Sequence, residues 1–146
     1  MCENQMRMTI DSHSSNESFA RVAVAAFVAQ LDPTVEEISD IKTAVSEAVT
    51  NSIVHGYRDD IGKIYITVQI LKNRHIKISI RDKGRGIEDV EKAMEPLFTT
   101  AGGERAGLGF AVMQSFMDKV KVRSTVGKGT TVTMTKAISF RIPANG

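Results

Sequence analysis

Ser46-Glu47-Ala48-Val49-Thr50-Asn51-Ser52-Ile53-Val54-His55-Gly56-Tyr57 carries two stripes at one helical period, one apolar and one polar. Val45, Ala48, Val49 and Ile53 continue a series begun by Val35, Ile38 and Ile41, the spacing of a helix with one face in a core. Glu47 and Asn51 stand four residues apart and project from a stripe displaced from that face. The spacing predicts a helix that opens with Asp32 as N-cap and Pro33 at the first helical position and runs to about His55, where Gly56 stops it.

Toward the N-terminus, Met6, Met8 and Ile10 alternate with polar residues, a short strand that ends in the polar cluster Asp11 to Asn16. Ser14 and Glu17 have the spacing of a capping box and open a second amphipathic helix, Glu17 to Gln30, with Phe19, Val22, Ala23, Ala26, Phe27 and Ala29 as its apolar face. Toward the C-terminus, Ile64, Ile66, Val68 and Ile70 alternate, Lys72-Asn73-Arg74 turns the chain, and Ile76, Ile78 and Ile80 alternate again, which predicts a hairpin. A Gly-rich loop at Asp82 to Gly86, a short acidic helix around Glu88 to Met94 and the stretch Pro96 to Ala106 follow. A helix from Phe110 to about Met117 comes next, opened by Gly107-Leu108-Gly109. The chain closes on Val120 and Val122, a turn at Gly127-Lys128-Gly129, and a strand from Thr130 to about Ile138. This order predicts a single α+β domain over residues 1–146, a two-layer sandwich whose mixed or antiparallel sheet carries its helices on one face.

Four features between these elements point to chemistry. A carboxylate and a carboxamide side by side on a rigid helix, Glu47 and Asn51, can hold Mg²⁺ and a reacting hydroxyl, because Mg²⁺ takes hard oxygen ligands and keeps several waters. The plain alternative is an exposed pair with no task. Asp82-Lys83-Gly84-Arg85-Gly86 follows a hydrophobic strand; its glycines permit a tight backbone course, and an aspartate at the mouth of the loop accepts a hydrogen bond from an exocyclic amine such as that of adenine. A simple Gly-rich turn has the same pattern. Gly107 and Gly109 at a helix start expose backbone N–H groups at the positive end of the dipole, where phosphate oxygens bind, or else let the chain bend into the helix. Gly127-Lys128-Gly129-Thr130 alone is an ordinary hairpin turn.

In this order, E-x-x-x-N, D-x-G-x-G, G-x-G and G-x-G-T resemble the four nucleotide-binding boxes of the GHKL (Bergerat-fold) superfamily of ATPases and kinases, over about Ser46 to Thr133. Ser46 to Tyr57 together with Pro96-Leu97-Phe98-Thr99-Thr100 resemble the anti-sigma serine kinases, and Glu17-Ser18-Phe19-Ala20-Arg21-Val22 with Ala25-Ala26-Phe27 extend the likeness over most of the chain. The resemblance implies a Bergerat fold and ATP with Mg²⁺ as cofactors. It implies Asn51 as the Mg²⁺ ligand, Asp82 as acceptor of the adenine amine, and Gly84 and Gly86 around the base. Gly107 and Gly109 would lie at the phosphates, Thr130 beside the pocket, and Glu47 would be the catalytic base toward a serine hydroxyl. Arg105 would neutralise the transferring phosphoryl group, in a lid, Ala101 to Ala106, that is shorter and more glycine-rich than the family's and lacks its usual lysine. Arg21 would contact a protein partner. The implied partners are a sporulation sigma factor of the sigma F type, an anti-anti-sigma protein that accepts phosphate on serine, and a second copy of the chain, with the strand near Met6 to Ile10 as a pairing edge. The rival functions are a nucleotide-dependent binding module without kinase activity and a detached histidine-kinase-like ATPase domain.

Composition narrows the classes further. A hydrophobic fraction of 42% and a charged fraction of 25% over 146 residues describe a folded globular chain. The one cysteine, Cys2, has no partner for a disulfide, and no run approaches the ~20 apolar residues of a membrane span, which predicts a cytoplasmic protein. A net charge of +2 does not by itself call for nucleic acid, Lys119, Lys121 and Arg123, alternating along a strand, read as a solvated edge face, and neither direct binding of nucleic acid nor a membrane partner is expected. His55 reads as a packed side chain or a partner of the helix dipole, and His13 and His75 belong to no zinc pattern.

Overall fold

The computed structural model describes residues 2–95 and 105–140. In chain order the elements are β1 (Cys2–Asp11), α1 (Ser15–Val28), α2 (Val35–Asn51), β2 (Lys63–Leu71), β3 (His75–Asp82), α3 (Val90–Ala93), α4 (Arg105–Phe116), β4 (Lys119–Thr125) and β5 (Gly129–Ala137). The strands form one sheet in the order β1-β2-β3-β5-β4, antiparallel at every junction. The expected α+β sandwich is therefore present, and of the two sheet types left open the antiparallel one is realised.

Alternation sets which face is inside. Ile64, Ile66, Val68 and Ile70 of β2 lie opposite Asp82, Ile80, Ile78 and Ile76 of β3, so three rows of branched side chains stand on the same side of the sheet. They are buried against Ala20, Val24 and Val28 of α1, Ile41, Ala44, Val45, Ala48 and Val49 of α2, Phe110 and Met113 of α4, and Met117 just after it. Each such isoleucine contributes about 1.5–3 kcal/mol by leaving water. A slip of one residue would turn the whole set outward, so the register is strongly specified.

Several local expectations give way to tertiary contacts. Ser14 has helical backbone angles (φ −58°, ψ −32°) and makes no side-chain cap bond. Glu17, its expected partner in a capping box, instead accepts a hydrogen bond from Ser46 Oγ at 2.5 Å and pairs with Arg21 at 3.6 Å. The core face of α1 is Ala20, Val24, Ala25 and Val28, while Phe19 and Val22 are 57% and 54% exposed. α1 has an apolar stripe on both sides, so periodicity could not choose between them; the small residues face inward because they let the helix lie close to its neighbours. Asp32 adopts a left-handed conformation (φ 50°) after the short turn Ala29–Leu31, and the cap of α2 is Thr34, in a true capping box with Glu37. Val35, at the first helical position, is consequently exposed, and Ala44 takes a core place not assigned to it from the sequence. α2 passes at Ser52 into a π-helical turn, Ser52–Tyr57, and α4 begins at Arg105, two residues before Gly107.

The two caps make a direct test. Thr34→Ala should lower unfolding free energy by about 1 kcal/mol in urea titration, whereas Ser14→Ala should stay within about 0.5 kcal/mol of wild type. Equal losses would restore the cap at Ser14.

Candidate functional site

The π-helical turn widens the end of α2 over the end of β3, and between them lies a cavity of about 290 Å³. Its walls include Asn51, Ser52 and Gly56 from the helix, Asp82 and Gly86 from β3 and its loop, and Thr130 from β5. A single π turn inside a helix is a common mark of a functional site, since the extra residue displaces side chains from their regular stripe.

Asp82 sits at the bottom, 4% exposed. Ser52 Oγ donates to its Oδ2 at 2.8 Å and the Gly84 amide donates to its Oδ1 at 2.9 Å. Burial pushes the carboxyl pKa up from its ordinary 3.8, against the opposing pull of the Gly84 amide, the Ser52 hydroxyl and the Thr130 amide. Gly56 is packed over this carboxylate: a Cβ there would lie 3.0 Å from Asp82 Oδ2. The loop after Asp82 is pinned to the helix, with Arg85 N–H donating to Gly56 O at 2.9 Å and a Cβ on Gly84 falling 2.2 Å from that same oxygen. Gly86 has φ +78° and leaves no room for a side chain beside Thr125 O, so it satisfies both conditions that call for glycine. Tyr57 braces the loop from the other side: its hydroxyl donates to Lys63 O and accepts from Lys83 N–H at 2.7 Å.

Asn51 Nδ2 is buried and has no hydrogen-bond partner among the described residues. Such a donor costs about 1–3 kcal/mol unless a ligand supplies the missing acceptor. Glu47, one turn earlier, faces the same neighbour: a Cβ on Gly109 of α4 would meet Glu47 Oε1 at 3.2 Å and the Asn51 carboxamide at 3.6 Å. The glycine thus allows α4 to close against the Glu47–Asn51 stripe. Among the described residues α4 already includes Arg105 and Ala106, so Gly107-Leu108-Gly109 lies within the helix and does not open it.

The structure therefore brings Asn51, Asp82, Gly86 and Thr130 to one cavity, Gly84 to its rim, and Glu47 and Gly109 to the adjoining end of α2. Gly107 is placed only as part of the first turn of α4; the side chain of Arg105 and the lid stretch 96–104, with Pro96-Leu97-Phe98-Thr99-Thr100, lie outside the described residues. Arg21 is elsewhere, on α1, paired with Glu17 and donating to Ser18 Oγ. Sequence reasoning gave Gly56 only the role of helix stop and assigned Ser52 and Tyr57 no individual place in the site. The available signal was Ser52 itself, a polar residue directly beside the core positions Ala48 and Val49, and a buried hydroxyl there needs a partner.

An adenine nucleotide fits this donor set. A buried carboxylate with two of its acceptor positions filled retains lone pairs for an amine, and the orphan on Asn51 marks where the remainder of a polar ligand would satisfy it. Among the described residues no group of three His, Cys, Asp or Glu is placed to hold a metal, so a Mg²⁺ here would rest on Asn51, phosphate oxygens and water.

Comparison with known proteins gives the same picture. The family model of the histidine kinase-like ATPase domain matches residues 13–136. The anti-sigma F factor of Caldanaerobacter subterraneus subsp. tengcongensis is 64% identical over 136 residues, 92% of this chain and 94% of that protein. That of Clostridium acetobutylicum is 53% identical over 141 residues, 96% of this chain and 98% of the relative. Among solved structures, the RsbU and RsbW domains of a Mycobacterium tuberculosis protein superpose with a TM-score of 0.71 at 21% identity, over 94% of this chain and 33% of that one. A blue-light activated histidine kinase of Erythrobacter litoralis superposes with a TM-score of 0.58 at 18% identity, over 84% of this chain and 60% of that one.

The raised pKa of Asp82 has a definite sign. The folded state holds the proton more tightly than the unfolded one, so the group's contribution to stability is full below pH 3.8 and is lost as pH rises through the higher folded value. Asp82→Asn should therefore melt no lower than wild type at pH 7, with the difference closing toward pH 3, while nucleotide affinity falls by about 1–3 kcal/mol. Thermal melts across pH and calorimetric titration with ATP measure the two effects; a variant that destabilises at pH 7 and still binds ATP normally would overturn the assignment.

Proposed function

This chain belongs to the anti-sigma F factors, which here carry a histidine kinase-like ATPase domain, and on that premise we propose that it holds a sporulation sigma factor of the sigma F type in an ATP-dependent manner and phosphorylates an antagonist protein on serine. The observation that carries the reading is the convergence of Glu47, the orphaned Asn51 amide and the buried Asp82 on one end of α2. Mg·ATP, when bound, supplies the phosphoryl group. In the proposal Asp82 accepts from the exocyclic amine and selects adenine. Asn51 turns its carboxamide oxygen to Mg²⁺; which way the amide faces depends on its ligand, because oxygen and nitrogen exchange by a simple flip. Glu47 takes the proton of the incoming serine hydroxyl, and Gly109 lets α4 lie close beside it. Arg105 is assigned to the phosphoryl charge, Gly107 to the phosphates and Thr130 to the pocket wall, as the family likeness implies.

Binding of protein partners is assigned to α1. Arg21 lies at the flank of that helix, and its guanidinium, held by Glu17, offers the fork geometry that pairs with carboxylates. Among the described residues β1 pairs with no strand but β2, and Phe19 and Val22 are exposed on the neighbouring helix, which supports pairing of two copies along this edge. No helix among the described residues is long and apolar enough to cross a membrane, in keeping with action on a transcription factor in the cytoplasm.

Asn51→Ala should abolish or strongly weaken Mg·ATP binding in calorimetric titration. Glu47→Gln should leave binding intact and slow serine phosphorylation by about 10²–10⁴-fold, measured with labelled ATP and a candidate antagonist. Normal transfer by the Gln variant would remove Glu47 from the chemistry; absence of transfer by the wild type, with sigma factor binding preserved, would leave a nucleotide-dependent binding module.

Arg21→Ala should lose about 2 kcal/mol of partner affinity with ATP binding and melting temperature unchanged. Surface-resonance affinities for the sigma factor and the antagonist, taken with ATP and with ADP, decide this. If neither moves, the partner surface is not on this flank of α1.

A further inference from the structure

The helices cover one face of the sheet, and among the described residues no element covers the other. Its residues fall in rows across all five strands. One row runs Lys119, Thr135, Lys77, Gln69, Gln5; the next Lys121, Thr133, Ser79, Thr67, Arg7; the third Arg123, Thr131, Arg81, Tyr65, Thr9. Six of these positions are Lys or Arg and none is Asp or Glu, in a chain whose net charge is only +2. Lys77, Lys119, Lys121 and Arg123 have no carboxylate partner among the described residues, and with Thr131, Thr133 and Thr135 they line a shallow trough of about 600 Å³ between β3 and β4. From the sequence, Lys119, Lys121 and Arg123 resembled a solvated edge. The strand order changes their meaning, because β5 brings Lys77 and Arg81 alongside them.

Gathering cations of one sign works against folding, and β5 moderates the repulsion by placing a row of threonines between the charged strands. We propose that this open face is a binding surface for single-stranded nucleic acid, held through its phosphate backbone without regard to sequence. The residue set is the one that meets phosphate and sugar: Lys and Arg with hydroxyls and carboxamides. Its apolar and aromatic members, Leu71 and Tyr65, are too few to form the apolar centre that marks a protein interface. Along β4 the cations recur every second residue, about 6.5 Å apart, a regular track for a charged chain. Among the described residues no helix or two-stranded ribbon stands out from this face to enter the major groove of a duplex. Tyr65 is the one aromatic ring in the three rows, flanked by Arg81 and Lys83 at 6.0 Å and 5.2 Å from its centre, and offers a base something to stack on. The surface is on the opposite side of the sheet from the nucleotide cavity and does not depend on kinase activity.

Fluorescence anisotropy with a labelled 20-nucleotide oligo(dT), titrated from 50 to 300 mM KCl, tests this on the full chain. Four phosphate contacts predict a slope of log K on log salt of about −3, and Lys121→Gln with Arg123→Gln should make it shallower by about 1.4 and weaken binding about tenfold. ATP affinity and melting temperature of the double variant should equal wild type, which shows that it is folded. No binding at 50 mM salt, or an unchanged slope in the folded variant, overturns the proposal. Labelled poly-glutamate of equal length and a 20-base-pair duplex are run in parallel. Tighter binding of the peptide would make this a surface for an acidic protein segment, and tighter binding of the duplex would reject the single-stranded ligand.

Discussion

A carboxylate buried at the end of β3 constrains much of the rest. Asp82 is held by Ser52 and Gly84, covered by Gly56, and hydrogen-bonded into the sheet opposite Ile64 and Thr130. An ionised group in such a place is unfavourable unless its oxygens are satisfied, so the helix that covers it must supply a hydroxyl at one position and no side chain at another. Those two requirements, Ser52 and Gly56, fall four residues apart on the π-helical turn. The glycines of the following loop answer the same constraint, since the loop must press against the Gly56 carbonyl to aim its amide at Asp82.

The turn also separates two tasks on one continuous helix. Up to Asn51, α2 obeys the ordinary period and buries Ile41, Ala44, Val45, Ala48 and Val49, which gives it the rigidity of the core. Beyond it, the wider turn opens the cavity. Glu47 and Asn51 stand at the junction, fixed from below by packing and facing Gly109 of α4, where a Cβ would lie 3.2 Å from Glu47 Oε1. The cost of this arrangement is visible in the structure: a raised carboxyl pKa and an unsatisfied amide are both destabilising in the free protein, the usual condition of a site prepared for a ligand.

Away from the cavity the molecule presents two very different surfaces. α1 shows apolar side chains to solvent along one stripe and an arginine on its flank, and the outer face of the sheet shows almost only hydroxyls and cations. The first resembles the apolar centre of a protein interface, and the second a track for a polyanion. Glu17 links the first of these surfaces to the site region: it pairs with Arg21 and accepts from Ser46, the residue before Glu47.

The sequence by itself determined the strands and singled out the residues of the candidate site. Period-two alternation in β2 and β3 can bury only one face, and Glu47, Asn51, Asp82 and Gly86 are polar or achiral residues whose types and order have few other uses. Tertiary structure decided what local patterns leave degenerate. Both stripes of α1 are apolar, so only contact with α2 and the sheet could choose Ala20, Val24 and Val28 over Phe19 and Val22. Glu17 had two competing partners and took Ser46, 29 residues away, over Ser14. The cationic face was invisible in one dimension because its rows are assembled from five strands, and a charge pattern that runs across hydrogen-bonded neighbours has no period along the chain.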